Sequence, residues 1–166
     1  MNPDVESKRS SRGLKAVCFD FRGVILNHKT NEDILPGMEQ LLMKLKTRGL
    51  TLTLISLFPA EVLKEMLGPV QRFFGENIYS SGERGKLACI KEFARKSGIE
   101  YLAQIAFVDE KPDNIVSVAR GSDVFAIGFR GSGKYPQAHK MCLEEAIAYA
   151  DNVGELENLL LSQISE

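Results

Sequence analysis

With 166 residues the chain has the length of one domain and can bury a substantial core. Hydrophobic residues make up 44% and charged residues 26%, and a formal net charge of −1 leaves no basic field for nucleic acid or an acidic membrane surface. No apolar run approaches the length of a membrane span and no signal-peptide pattern opens the sequence, so a cytoplasmic protein is expected. Cys18, Cys89 and Cys142 are odd in number, far apart and without zinc-type spacing, and they read as reduced, mostly buried thiols.

Residues 1–13 (MNPDVESKRSSRG) are almost devoid of apolar side chains and read as a disordered leader before a single domain over residues 14–166. Leu14 to Phe19 is a mostly apolar run, the signature of a buried strand; it ends on Asp20, with Gly23 close behind to let the backbone turn. After a polar excursion from Asn27 to Asp33, Pro36 and Gly37 open a helix. Its Met38, Leu41, Leu42 and Leu45 keep a 3.6-residue period until Gly49. Leu50 to Ile55 predicts a second strand ending on Ser56, and Pro59 opens a short helix through Leu67. Asn77 to Tyr79 is a short strand, and Lys86 to Lys96 a helix closed by Gly98. Ala103 to Val108 is a further buried strand, ending on Asp109 and Glu110, and a helix from Pro112 to Ala119 follows. Asp123 to Ile127 is another strand, and the tail carries helices near Leu143 to Tyr149 and Val153 to Leu161. This alternation predicts an α/β fold: a three-layer α/β/α sandwich around a Rossmann-like, mostly parallel sheet.

Taken alone, Asp20 is equally well explained as a loop cap. Its company changes the weighting. Asp20, Ser56 and the pair Asp109–Glu110 each follow directly on a strand, and in a parallel sheet such ends share the edge where ligands bind. Opposed carboxylates ionise together cheaply only with a cation between them, and oxygen donors of this kind suit Mg2+. The Ser56 hydroxyl and an ammonium from Lys86 complete a phosphate pocket.

FDFRGVIL, LTLTLIS, the lysine of SGERGKLACIKEFARKSGI and IAFVDEKPDNI resemble, in order, the four motifs of the haloacid dehalogenase (HAD) superfamily of aspartyl-nucleophile phosphotransferases. YADNVGELENLL is similar to its usual last strand and helix, so the resemblance spans roughly residues 14 to 162. It implies that Asp20 is a nucleophile forming an aspartyl-phosphate, that Ser56 bonds the phosphoryl oxygens and that Lys86 offsets their charge. It further implies Mg2+ held by Asp20, Glu110 and the backbone carbonyl of Arg22, with Asp109 supporting through water and Asn114 orienting the acidic loop.

Two residues depart from that pattern. Phosphatases of the superfamily usually carry a second aspartate as general acid and base where this chain has Arg22, and arginine stays protonated. Glu110 replaces the commoner aspartate. His28 is a candidate substitute for the missing acid, although a histidine in a polar loop is ordinarily solvated, and that is the reading taken. Gly128 to Lys134 (GFRGSGK) fits GxxxxGK, but Tyr135 and Pro136 follow where a P-loop needs Ser or Thr. The run is therefore read as a Gly-rich loop, able at most to line the crevice.

The gaps after the first and second motifs are too short for a cap domain. An open site suits large phosphorylated substrates such as proteins, nucleic-acid ends or saccharides, or coverage by a second copy of the chain. The leading expectation is a Mg2+-dependent phosphohydrolase slowed or specialised by Arg22. The alternatives are a regulatory or binding protein with little turnover and, behind both, a hydrolase of carbon–halogen bonds, which needs no acidic metal pair.

Overall fold

The computed structural model describes residues 12–30 and 33–165. Six parallel strands form one sheet: β1 (Ala16–Phe19), β2 (Thr51–Ser56), β3 (Ile78–Ser80), β4 (Ile105–Asp109), β5 (Phe125–Phe129) and β6 (Ala148–Ala150), in the order β3-β2-β1-β4-β5-β6. β1 is buried along its whole length because it has a neighbour on each side and helices over both faces, which is why its sequence is continuously apolar. Successive side chains point to opposite faces: Val17 and Phe19 join one core, Ala16 and Cys18 the other.

The first core is closed by α1 (Met38–Thr47), α2 (Ala60–Leu67) and α6 (Val153–Leu161); the second by α3 (Lys86–Ser97), α4 (Pro112–Gly121) and α5 (Ala138–Glu144). Helix α1 buries Met38, Leu41, Leu42 and Leu45, the stripe its 3.6-residue period predicts. Gly98 ends α3 in the left-handed region at φ 69°. At the start of α6 the Asn152 side chain accepts from Glu155 N–H (2.9 Å), and Glu155 Oε2 accepts from Asp151 N–H (2.6 Å), so two orphan donors are satisfied. Among the described residues no further domain interrupts the sheet between β1 and α1 or between β2 and α3, and no helix is long and apolar enough to cross a membrane.

The tail departs from the sequence expectation. The helix placed near Leu143 to Tyr149 lies earlier, at Ala138–Glu144, and Ala148–Ala150 is the edge strand β6. Ala146 adopts φ 56° and Ile147 N–H bonds the Cys142 carbonyl (2.8 Å), a reversal that ends the helix. The run AIAYA carries no period that distinguishes the two states. Of the expected leader, residues 1–11 lie outside the described residues. Arg12 is engaged with the domain: it donates to the Asp123 carbonyl (2.9 Å) and its guanidinium lies 4.8 Å from the Phe125 ring centroid. All three cysteines are free and buried.

Neighbouring positions on α1 give a direct test of the packing. Leu42 is fully buried whereas Met43 is 51% exposed. Leu42→Ala is expected to lower unfolding stability by about 2–5 kcal/mol and Met43→Ala by under ~0.5 kcal/mol in urea titrations. Equal losses at the two positions would contradict the assigned helix face.

Candidate active site

The strand order reverses between β1 and β4, so the crevice beyond their carboxyl ends is the topological switch point of the sheet. Asp20 follows β1, and its N–H donates to the Val108 carbonyl of β4 (3.0 Å). Lys86, the first residue of α3, is 7% exposed; its Nζ donates to Asp20 Oδ1 (2.7 Å) and to the Ile55 carbonyl (2.7 Å). The ammonium is thus fixed between the ends of β1 and β2 by a charge-assisted bond and a backbone acceptor. Ser56, the last residue of β2, is buried; its hydroxyl accepts a long bond from Phe58 N–H (3.4 Å). The Ser56 carbonyl accepts from Ser81 N–H (2.7 Å) and Ser81 Oγ (3.2 Å), tying the loop before α3 to the same edge.

The two acidic residues after β4 have different surroundings. Asp109 is fully buried and does not line the crevice: its oxygens accept from Lys111 N–H (3.0 Å) and Asn114 Nδ2 (3.0 Å), which fixes the turn into α4. Glu110 is 2% exposed and reaches into the crevice, where neither of its oxygens accepts a hydrogen bond. Its carboxylate occupies the space that a Cβ on Gly23 would fill, and Gly23 has φ 84°. The His28 ring touches Glu110 Oε1. The solvated position expected for this histidine is therefore corrected: its side chain is 15% exposed and lines the crevice.

Burial, the charge of Asp20 and that of Asp109 push Glu110 up to about 8, against the opposing pull of Lys134 and Arg22. Burial and the Asp20 charge push Asp109 up to about 7. His28 is lowered by burial and by the nearby cations Lys134 and Arg22, with Asp20 opposing.

The crevice encloses about 380 Å3. Asp20, Arg22, Ser56, Lys86, Glu110 and Asn114 all line it. Arg22 is half-buried, its guanidinium 6.0 Å from the Phe58 ring centroid, and its Nε has no hydrogen-bond partner. Sequence reasoning missed Lys111 and Tyr135 as lining residues, whereas Lys134 ends the Gly-rich run read as able to line the crevice. The available signal was position, since each follows the end of a strand at the ligand edge. The Gly-rich run is anchored by Ser132 N–H donating to the Gly23 carbonyl (3.2 Å), and a Cβ on Gly131 (φ 56°) would overlap that carbonyl. The loop consequently lies over the β1 turn and carries Lys134 and Tyr135 to the crevice. Its first two residues, Gly128 and Phe129, belong to β5.

No family model matches the sequence, and no curated protein sequence matches it. Solved structures match the fold over most of its length. A HAD-superfamily hydrolase from Ehrlichia chaffeensis superposes with a TM-score of 0.71 at 15% identity, covering 92% of this chain and 98% of that one. A phosphatase assigned in Clostridium difficile gives 0.72 at 13%, covering 89% and 99%. The 3-deoxy-D-manno-octulosonate 8-phosphate phosphatase from Moraxella catarrhalis, solved with magnesium, phosphate and its sugar acid, gives 0.63 at 18%, covering 92% and 88%. The crevice at the β1–β4 switch point and this agreement in architecture lead to one conclusion: the chain has the haloacid dehalogenase-like fold.

Proposed function

We propose that the protein is a phosphohydrolase in which Asp20 attacks phosphorus and is transiently phosphorylated. The observation that carries this reading is the Asp20 carboxylate held by the buried Lys86 ammonium at the switch-point crevice. The phosphatases that share the fold support the coarser part of this reading, hydrolysis of a phosphate ester. In the first step an Asp20 oxygen forms a bond to phosphorus as the bond to the leaving oxygen breaks in line. Lys86 offsets charge on the nucleophile and on the phosphoryl oxygens, and the Ser56 hydroxyl donates to one of those oxygens. In the second step water cleaves the acyl phosphate, releasing inorganic phosphate and restoring Asp20.

Arg22 stands where a general acid and base would serve both steps. A guanidinium does not exchange protons at neutral pH, so the alkoxide leaves unprotonated and the attacking water keeps its proton longer. Esters with good leaving groups are least affected. A second reading, a phosphate-binding regulatory protein with little turnover, is favoured by this one residue.

The donor set fits a divalent cation. Both Glu110 oxygens are buried without a hydrogen bond, only the His28 ring touching Oε1, and Asp20 lies on the same crevice. Among the described residues no three His, Cys, Asp or Glu side chains form a ready cage, so the proposed donors are two carboxylates, the Arg22 carbonyl and water, the sparse set Mg2+ accepts. Bound there, the ion would neutralise charge on the phosphoryl oxygens. Asp109 would act indirectly, by fixing the loop that presents Glu110.

Two outcomes are expected. Arg22→Asp restores a proton shuttle and raises steady-state hydrolysis of an alkyl phosphate by about 10²–10⁴-fold; an unchanged rate contradicts the assigned role of Arg22. At pH 9 in chelator, above the raised value of about 8 for Glu110, Glu110→Gln removes a poorly compensated buried charge, so its thermal midpoint rises above wild type, whereas at pH 6 the difference shrinks. In wild type, Mg2+ at ~100 times its dissociation constant adds about 2.7 kcal/mol of stability, read as an upward shift of the midpoint, and that shift disappears in the variant. A full Mg2+ shift retained by Glu110→Gln would remove Glu110 from the metal site.

A further inference from the structure

The crevice holds more positive charge than a single phosphoryl group uses. Four cationic side chains line it, Arg22, Lys86, Lys111 and Lys134, against the carboxylates of Asp20 and Glu110. Lys86 is committed to Asp20. Among the described residues, Arg22, Lys111 and Lys134 form no ion pair, and Arg22 Nε is buried without any hydrogen-bond partner. A divalent cation on Asp20 and Glu110 would increase the surplus.

Two of the remaining cations, Lys111 and Lys134, are also displaced from the phosphoryl-binding groups, whereas Arg22 follows β1 and lies by Phe58. Ser56 and Lys86 belong to the β1–β2 side of the crevice, whereas Lys111 follows β4 and Lys134 follows β5. Lys134 is brought there by a loop whose docking leaves no room for a Cβ at Gly131, so its position is built by the fold. Its ammonium lies 5.5 Å from the Tyr135 ring centroid, and Tyr135 lines the same wall. Cations held apart from the reacting centre, in a space of small-molecule size, recognise charge on the part of the substrate that does not react.

We propose that the crevice takes a small phosphate monoester carrying a second anionic group, a carboxylate or a second phosphate, which Lys111 and Lys134 hold on the β4–β5 side. This specificity rests on the phosphohydrolase reading for its biological use, but the recognition itself is measurable without turnover. Calorimetric titration of the wild-type protein in excess Mg2+ compares three non-hydrolysable probes of equal chain length: propylphosphonate, 3-phosphonopropionate and propane-1,3-bisphosphonate. At least one of the two probes with a second anionic group binds tenfold or more tightly than propylphosphonate, and whichever wins identifies carboxylate or phosphate as the second group.

The preference, read as a ratio within each protein so that general losses cancel, falls at least threefold in Lys134→Gln and in Lys111→Gln. Binding of all three probes within twofold of one another, or a ratio that survives both substitutions, overturns the proposal. Failure of the phosphohydrolase reading shows separately, as the absence of Asp20-dependent phosphate release from any ester, and leaves the binding ratios standing.

Discussion

Three carboxylates, Asp20, Asp109 and Glu110, meet at the edge of a sheet whose interior is apolar, and their mutual repulsion dictates what surrounds them. Two unit charges ~4 Å apart at an effective dielectric of about 20 interact by about 4 kcal/mol, comparable to much of a domain's net stability. Each carboxylate is accommodated differently. Asp20 has the buried ammonium of Lys86, and Asp109 has two donors from its own loop. Glu110 has neither, and its raised affinity for a proton is the signature of a site short of one positive charge. A cation at this point would relieve the deficit that the fold leaves open.

The two departures from the superfamily pattern are linked through that same point. A glutamate needs more space than an aspartate, and the space is supplied by Gly23, whose missing Cβ makes room for the carboxylate. Gly131 in turn lies on the Gly23 carbonyl and brings Lys134 beside the crevice. Arg22, one residue before Gly23, lies close enough for its charge to act on Glu110. In the proposed mechanism a guanidinium at this position would cost proton transfer while adding positive charge to the crevice.

The central strands were legible because β1, β2 and β4 are largely buried runs of strand length, each closed by a polar residue; their order in the sheet came from the structure. The helices were legible where a stripe such as Met38, Leu41, Leu42 and Leu45 repeats. The tail was harder: residue pattern put a helix over Leu143 to Tyr149, and only the resemblance of YADNVGELENLL to a last strand and helix pointed to the short edge strand after Ala146. At the site, the convergence of Asp20, Ser56 and Glu110 follows from parallel topology, so strand-end position foretold it, while Lys86 reaches them from the start of α3. Contacts made by loops did not show in the same way. Placing His28 against Glu110 and Lys134 beside both depends on how the β1 and β5 loops stack, which only their glycines hint at.

The central claim is that Asp20 is a working nucleophile whose release step is slow. Rapid mixing of the protein with p-nitrophenyl phosphate and Mg2+ addresses it directly, because this leaving group needs almost no proton and Arg22 does not hinder the first step. The account predicts a burst of nitrophenol equal to the protein concentration, followed by slow turnover, with no burst in Asp20→Asn. Nitrophenol release no greater than in the Asp20→Asn control would contradict it and leave a phosphate-binding protein.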